Sequence, residues 1–315
     1  MKKILSCPIC KSKSFTFQYN SKDRMFGIYG SFTVKRCDNC SCVFLDPQPD
    51  QKELKKYYPS RRYYSYSKKE NVKGFFEILR EYLVKNYYSP TFLSKIVTVF
   101  IKNVPAMPSN LRNGKILDLG CGTGDTLILL KKLGWDSYGI DMDKQAISIG
   151  INRGLKNLKL GTYKDIATYP DNYFDAVRLY HVIEHLDDPA LCLSLIRKKL
   201  KKNGELILGT PNMQSFTSII FKSRWYNLDS PRHLSIFSPR TLGKLAEKEG
   251  YLVKSIEFCS AGGLAGSLQY FFEDVFGKKI NLINNLPVVL LLYPIEWFLD
   301  KLSLGDVFSL KVTKV

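Results

Sequence analysis

The sequence predicts an α/β fold in which helices cover both faces of a mostly parallel β-sheet. From residue 115 onward, short apolar segments typical of strands alternate with amphipathic segments typical of helices, which is the pattern of repeated βαβ units. A glycine-rich loop follows the first of these strands, and five cysteines lie within the first 42 residues. The 315 residues therefore indicate a large sheet domain preceded by a small cysteine-bounded module.

Residues 1–46 are predicted to form a metal-binding module built from short strands. Two CxxC pairs supply four cysteines: Cys7, Cys10, Cys37 and Cys40. Four thiolates suit one tetrahedral Zn²⁺ in a closed cage, so we expect a structural zinc in a zinc-ribbon-like module. The alternative is four reduced cysteines without metal, and Cys42 is a spare thiol.

Residues 47–112 are expected to connect this module to the sheet domain. Residues 47–70 are basic and rich in tyrosine, and residues 72–102 carry apolar side chains at helical spacing. Aromatic and cationic side chains together can stack on bases or sugars and hold phosphates. The alternative is a connector that packs across the mouth of a substrate site.

The segment 113–315 is predicted to be the sheet domain. Strands are expected at 115–120, 136–140, 158–161, 174–180, 205–210, 251–259 and 306–315. Helices are expected at 126–134, 144–154, 190–204 and 239–250. Two insertions interrupt this pattern, at about 213–237 and at about 261–303. The second is strongly apolar, and its stretch 280–300 could contact a membrane surface or a second subunit; the alternative is a lid or a pair of core helices.

The formal net charge of +18 is concentrated near the N-terminus. Residues 1–113 carry 21 Lys and Arg against 8 Asp and Glu, whereas residues 114–315 carry 26 against 21. This excess favours an anionic partner, although a solvated lysine surface needs none. No apolar leader precedes Cys7, and prolines and asparagines interrupt the run 280–295. We therefore expect a cytoplasmic protein without a transmembrane helix.

A glycine-rich loop at 120–124 marks the predicted ligand site. Its glycines let the backbone turn sharply and approach a ligand, and the following helix points its N-terminal amides there. Asp141 ends the next predicted strand, where a carboxylate can accept hydrogen bonds from both hydroxyls of a ribose.

In LDLGCGTGD and GIDMD, the sequence resembles the class I S-adenosylmethionine (SAM)-dependent methyltransferases, in particular a bacterial subgroup with an N-terminal zinc module of four cysteines. The resemblance implies a Rossmann-like seven-stranded sheet. It implies that Asp118 orders the glycine loop, that the loop holds the methionine portion and ribose, and that Asp141 binds the ribose diol. The implied cofactor-binding residues are Asp118, Gly120, Gly122, Gly124, Asp141, Met142, Asp165 and Ile166.

A second motif, HVIEH at 181–185, follows the fourth predicted strand of the sheet domain. It matches the HxxEH signature of some zinc peptidases, but it lies at a strand end rather than within a helix. It also resembles the Glu-x-x-Glu-His stretch of the ubiquinone-pathway O-methyltransferases, whose relatives can use a divalent cation. A third interpretation is that Glu184 and His185 brace the next helix while His181 faces the methyl donor.

His181 and His233 are the candidate bases for a hydroxyl nucleophile, with His233 preferred. His233 lies in the sequence SPRH within the first insertion, which in the family lines the acceptor side. The alternative is that Arg232 and His233 only pin this insertion to the core.

The resemblance implies methyl transfer from SAM to a small-molecule or glycan-linked acceptor, with a hydroxyl as the expected nucleophile. The sequence also allows two alternatives to this function. The basic module could serve an RNA methyltransferase, although YHVI stands where a nucleobase-amine motif would follow the fourth strand. The chain could also bind SAM without catalysis.

Overall fold

A computed structural model of the chain describes residues 1–58, 75–100, 106–109, 113–260 and 262–315. Several connector residues on which the stacking prediction depended lie outside this part of the chain: Arg61, Arg62, Tyr63, Tyr64 and Tyr66.

Eleven strands and ten α-helices are formed by the described residues. The strands are β1 (Phe15–Ser21), β2 (Phe32–Cys37), β3 (Val43–Leu45), β4 (Lys115–Leu119), β5 (Asp136–Asp141), β6 (Asn157–Leu160), β7 (Phe174–Tyr180), β8 (Leu200–Pro211), β9 (Ser235–Ile236), β10 (Tyr251–Phe258) and β11 (Val307–Lys314). The helices are α1 (Gln51–Lys56), α2 (Phe75–Lys85), α3 (Phe92–Phe100), α4 (Asp125–Lys132), α5 (Lys144–Asn152), α6 (Pro189–Lys199), α7 (Phe216–Phe221), α8 (Pro239–Lys248), α9 (Gly263–Phe276) and α10 (Leu286–Lys301).

The large sheet has seven strands in the order β10-β11-β8-β7-β4-β5-β6. The five strands from β8 to β6 are mutually parallel, and β11 runs antiparallel to both of its neighbours. The predicted Rossmann-like seven-stranded sheet is thus confirmed. The chain order reverses at β4, which lies between β5 and β7, and ligands of such sheets bind beside the carboxyl ends of the strands at this point.

Helices cover both faces of this sheet, as predicted. On one face, Leu117 and Leu119 of β4 pack into a core with residues of α6 and α8. On the other face, Ile116 packs with residues of α4 and α5, together with Val84 of α2. Neighbouring residues of β4 therefore face opposite cores, because successive side chains of a strand alternate in direction.

The N-terminal strands form a second, four-stranded sheet in the order β1-β2-β3-β9. Its last strand comes from the first insertion of the sheet domain, with Val43 paired to Ile236 and Phe44 to Ser235. The buried side chains of Cys7 and Phe44 also belong to the core that contains α6 and α8. The N-terminal strands therefore share both a sheet and a core with the domain that follows.

The structure differs from two of the predicted helical segments. The helix expected at 190–204 stops at Lys199, because Leu200 already pairs with Phe174 as the first residue of β8. The helical pattern at 72–102 contains α2 and α3 with a break between them. Ser89 precedes Pro90 there, and a residue before proline disfavours the helical conformation.

The insertion at 261–303 contains a helical hairpin of α9 and α10, and α9 also packs against α7 of the first insertion. None of the described helices combines the length and the apolar character needed to cross a membrane.

Candidate active site

The glycine loop joins β4 to α4 at the switch point of the sheet. The amide of Gly120 donates to the carbonyl of Ile140 on β5 over 2.8 Å. Gly120, Gly122 and Gly124 all have positive φ angles of 71°, 52° and 80°. A Cβ atom at Gly120 would lie 2.4 Å from Cγ2 of Val182, whereas at Gly122 it would meet no atom of the described residues within 4 Å. The loop is therefore closed on its inner side and open at Gly122.

Asp141 ties this loop to the end of β5. Its Oδ2 accepts a hydrogen bond from the Gly122 amide over 2.8 Å, and its Oδ1 accepts one from the Asp143 amide over 2.9 Å. Burial raises the pKa of the Asp141 carboxyl, while these backbone donors favour its charged form. A carboxylate and an open glycine backbone thus lie side by side, which is the arrangement expected around a ribose.

Asp118 lies beneath the loop rather than in it. Its buried carboxylate forms an ion pair with Arg178 of β7, with Nη1 to carboxylate oxygen distances of 2.9 and 3.1 Å. Burial raises the pKa of Asp118, and the guanidinium beside it opposes that change. The pair holds β4 against β7, so any effect on the loop is indirect.

The residues proposed to surround an adenine lie after β5 and β6. Met142 is 64% exposed. Asp165 accepts a hydrogen bond from the Thr162 amide, as part of a capping box, and Ile166 is fully buried behind it. The Gly161 amide donates to the Asp141 carbonyl over 2.9 Å, which brings this turn next to the loop. Their contact with a cofactor stays a prediction.

All three histidines of the chain surround one fully buried carboxylate, Glu184. His181 Nδ1 lies 3.2 Å from Glu184 Oε1, and His233 Nε2 lies 3.9 Å from the same oxygen. The rings of His185 and His233 meet edge to face, with centroids 4.7 Å apart. Two separate sequence motifs therefore converge on one cluster next to the glycine loop, since Val182 packs on Gly120.

The hydrogen bonds of the cluster set the tautomer of each imidazole. Nδ1 of His185 and Nδ1 of His233 each lie 2.9 Å from a backbone carbonyl, that of Arg232 and that of Asn227, respectively. A carbonyl only accepts, so both Nδ1 atoms carry the proton. Nδ1 of His181 likewise faces the Glu184 carboxylate, which leaves its Nε2 with a lone pair when the ring is neutral.

The surroundings of the cluster shift the pKa values of Glu184 and His233. Burial opposes ionisation of Glu184, but the hydrogen bond from His181 and the neighbouring imidazoles hold its pKa at about 2. Burial lowers the pKa of His233 to about 4, so this ring is neutral at physiological pH. His181 is more accessible, with 36% of its side chain exposed, and it adopts a left-handed backbone conformation with φ of 56°. Such a conformation is uncommon outside glycine and is frequent at functional sites.

Two groups of side chains have the geometry of metal ligands. The first is the predicted set Cys7, Cys10, Cys37 and Cys40, whose sulfur atoms all lie within 4.8 Å of one another. The Cys7–Cys40 and Cys10–Cys37 sulfur distances are both 3.5 Å, close to the spacing of about 3.8 Å that Zn–S bonds of about 2.3 Å require in a tetrahedron. The second is Glu184, His185 and His233, where the buried Glu184 Oε2 has no hydrogen-bond partner among the described residues.

Arg232 is the functional neighbour whose contacts the sequence did not show. It is fully buried and contacts Asp229, the N-terminal Asp23 and the Tyr57 carbonyl. The interpretation that Arg232 pins the insertion identified half of this arrangement. The other half, Asp23, lies 209 residues away, and no local sequence signal marks it.

Comparison with known proteins places the chain in a family. A family profile described as "Methyltransferase domain" matches residues 91–256, which is more than half of the chain. The chain belongs to the methyltransferase family. The predicted membership of the class I SAM-dependent methyltransferases is thereby confirmed.

Among curated relatives of this methyltransferase is a ubiquinone biosynthesis O-methyltransferase of Xanthomonas oryzae pv. oryzae. It is 28% identical over 108 residues, which cover 33% of this chain and 45% of the relative. The Pelagibacter ubique protein of the same name is 25% identical over 183 residues, covering 54% of this chain and 75% of that one. The chain spans about half the length of the first of these curated relatives.

Solved structures resemble it as well. A SAM-dependent methyltransferase from Archaeoglobus fulgidus superposes with a TM-score of 0.46 and 24% identity, covering 76% of this chain and all of that one.

Proposed function

We propose that this methyltransferase transfers a methyl group from SAM to a hydroxyl of a small-molecule or glycan-linked acceptor. The observation that carries the proposal is the His181–Glu184 pair beside the glycine loop, because a hydroxyl needs a base to remove its proton. The names of the curated relatives, which describe O-methylation in ubiquinone biosynthesis, support a hydroxyl acceptor.

The glycine loop and Asp141 fit the cofactor. The open backbone at Gly122 leaves room for a ligand, and the Asp141 carboxylate stands beside it as an acceptor for ribose hydroxyls. When bound, SAM supplies an electrophilic methyl group on a sulfonium. The protein aligns the acceptor with this group and excludes competing water.

His181 is the residue best suited to take the acceptor proton. Glu184 is ionised and accepts from Nδ1–H, so it orients the ring and stabilises the positive charge that forms when Nε2 is protonated. We therefore prefer His181 over His233 as the base. His233 is buried, its Nδ1 is bonded to Asn227, and it serves to position Glu184 and His185.

We propose a structural zinc ion at the four N-terminal cysteines. The compact arrangement of their sulfur atoms supports this, and so does the small size of the strands around them. Bound zinc would fix the two CxxC turns relative to each other and contribute directly to the folding free energy of this segment. A thiolate site requires reduced cysteines, in keeping with the cytoplasmic setting expected from the sequence.

Replacing Asp141 with Ala should weaken SAM binding by more than about tenfold, because two ribose hydroxyls lose a charged acceptor. Isothermal titration calorimetry with SAM measures this directly. Asp136→Ala is the matched control, since Asp136 lies at the N-terminal end of β5, away from the glycine loop, whereas Asp141 lies at its C-terminal end. Equal affinity in the wild type and the Asp141 variant would contradict the assignment.

Replacing His181 with Asn should lower methyl transfer by about 100-fold or more while leaving SAM affinity nearly unchanged, because a base contributes only to the chemical step. Formation of S-adenosylhomocysteine from SAM, in the presence of a panel of phenols and hydroxylated glycans as acceptors, reports the rate.

Glu184→Gln is the companion variant, because the amide keeps the shape but not the charge. It should also lower turnover. Wild-type turnover in both variants would rule out the pair as the base, and a requirement for an added divalent cation would point to Glu184, His185 and His233 as its ligands instead.

Protein purified without chelators should contain one zinc ion per chain by elemental analysis. Cys37→Ser should lose this zinc and lower the melting temperature, because a three-thiolate site leaves the cage open. Cys42→Ala is the control, since Cys42 lies outside the four-sulfur group and should retain the ion. Zinc-free wild-type protein, or zinc loss in the Cys42 variant, would overturn the proposed ligand set.

A further inference from the structure

In the helical hairpin of α9 and α10, helix α10 exposes apolar side chains to solvent and buries its acidic side chains. Glu296 and Asp300, the only two carboxylates of α10, are both buried. Leu291, by contrast, is 76% exposed, and neighbouring outward positions are also apolar. This is the reverse of the usual amphipathic surface helix, in which charged residues face solvent.

Both buried carboxylates have structural partners that explain their inward direction. Glu296 accepts hydrogen bonds from the Gly262 and Leu264 amides over 3.1 and 2.9 Å, at the N-terminus of α9. Asp300 accepts from the amide and hydroxyl of Ser260. The hairpin is thus fastened to the domain by its polar residues, and its exposed leucines take no part in that attachment.

Exposed apolar residues occur on three helices of this region, and α9 contacts both α7 and α10. We call these residues together the apolar hairpin face. Its members are Phe216, Ile219 and Ile220 of α7, Phe271, Val275 and Phe276 of α9, and Leu286, Leu290, Leu291, Ile295 and Phe298 of α10. So many exposed apolar side chains on adjoining helices are typical of an interaction site.

We propose that the apolar hairpin face docks this protein onto the surface of an anionic lipid bilayer. Exposed Lys278 and Lys279 lie in the turn between α9 and α10, and Lys301 ends α10 beside Trp297, 5.4 Å from the centre of its ring. Apolar side chains bordered by lysine, with an aromatic side chain at the border, are the pattern of segments that lie in the membrane interface. At 16 residues, α10 is shorter than the roughly 20 residues that span a bilayer.

Charge favours a bilayer over a second copy of the chain as the occupant. The lysines that border the face, Lys278, Lys279 and Lys301, attract anionic headgroups, whereas they would repel the same lysines of a second copy. The proposal does not depend on which acceptor is methylated.

Flotation with vesicles of phosphatidylcholine and phosphatidylglycerol, at a ratio of about 7:3, tests the proposal. The full chain should bind these vesicles, and added salt should weaken the binding because it screens the lysines. The double variant Leu290→Gln/Leu291→Gln should reduce binding by at least about tenfold. The matched control is Ile151→Gln/Leu191→Gln, which removes two exposed apolar side chains from α5 and α6 and should bind like the wild type.

Tryptophan fluorescence of the wild-type protein tests the proposal without depending on whether a variant folds. Trp135 and Trp225 are buried, whereas Trp297 is partly exposed at the edge of the apolar hairpin face. Vesicles with brominated acyl chains should therefore quench mainly Trp297, and Trp297→Phe should remove that quenching. Absence of vesicle binding, binding unaffected by the Leu290/Leu291 variant, or dimerisation in light scattering without vesicle binding would each overturn the proposal.

Discussion

The buried guanidinium of Arg232 is the constraint on which the arrangement of the candidate site depends. Its Nε lies 3.0 Å from both carboxylate oxygens of Asp229, and its Nη2 lies 2.8 Å from Asp23 of the N-terminal strands. Its Nη1 donates to the Tyr57 carbonyl, and its guanidinium carbon lies 4.8 Å from the Phe26 ring centre. Removing one partner of such a buried ion pair typically costs about 3–5 kcal/mol, because the other charge is left without compensation.

Backbone contacts lead from Arg232 and its neighbour Leu234 to His185 and to Glu184, the carboxylate that pairs with the proposed base. The Arg232 carbonyl accepts from His185, and the amide of Leu234 donates to the Glu184 carbonyl over 2.8 Å. The Leu45 amide in turn donates to the Leu234 carbonyl, which joins β3 to the same segment. The N-terminal strands therefore contact the segment that carries the histidine cluster, and the proposed zinc would stabilise these strands.

The cofactor side of the molecule has a different support. The glycine loop depends on contacts among β4, β5 and β7, through Asp141, the carbonyl of Ile140 and the Asp118–Arg178 pair. The hydrogen bonds of Arg232 lead instead to Asp229, Asp23 and Tyr57. Under the proposed assignment, substitutions around the glycine loop should mainly affect SAM binding, whereas substitutions around Arg232 should mainly affect the histidine cluster.

Much of this organisation could be predicted from the sequence, because the signals are local. The glycine spacing, the paired cysteines and the strand–helix alternation each lie within a short stretch, and the family resemblance that they support implies the seven-stranded sheet. The predicted end of α6 was wrong because pairing of Leu200 with β7 outweighs the helical tendency of the lysines after it. The two-residue strand β9 carries too short a pattern to be recognised.

The contacts that assemble the site were beyond sequence reasoning because they join distant residues. His181 and His233 were both selected, but their shared carboxylate and the burial of His233 depend on how the first insertion folds back. The Asp23–Arg232 ion pair spans 209 positions. Nothing in the residues around Asp23 distinguishes it from the solvent-exposed acids of a basic surface.

Hydrogen–deuterium exchange on an Asp23→Asn variant shows whether the ion pairs of Arg232 position the candidate site. Asp46→Asn is the control, since Asp46 is also a buried acid of the N-terminal strands but pairs with Lys35. If the Arg232 ion pairs position the site, amides at 226–237 should exchange faster in the Asp23 variant than in the control, while amides at 118–124 keep their protection. Equal exchange of 226–237 in the two variants would contradict the account.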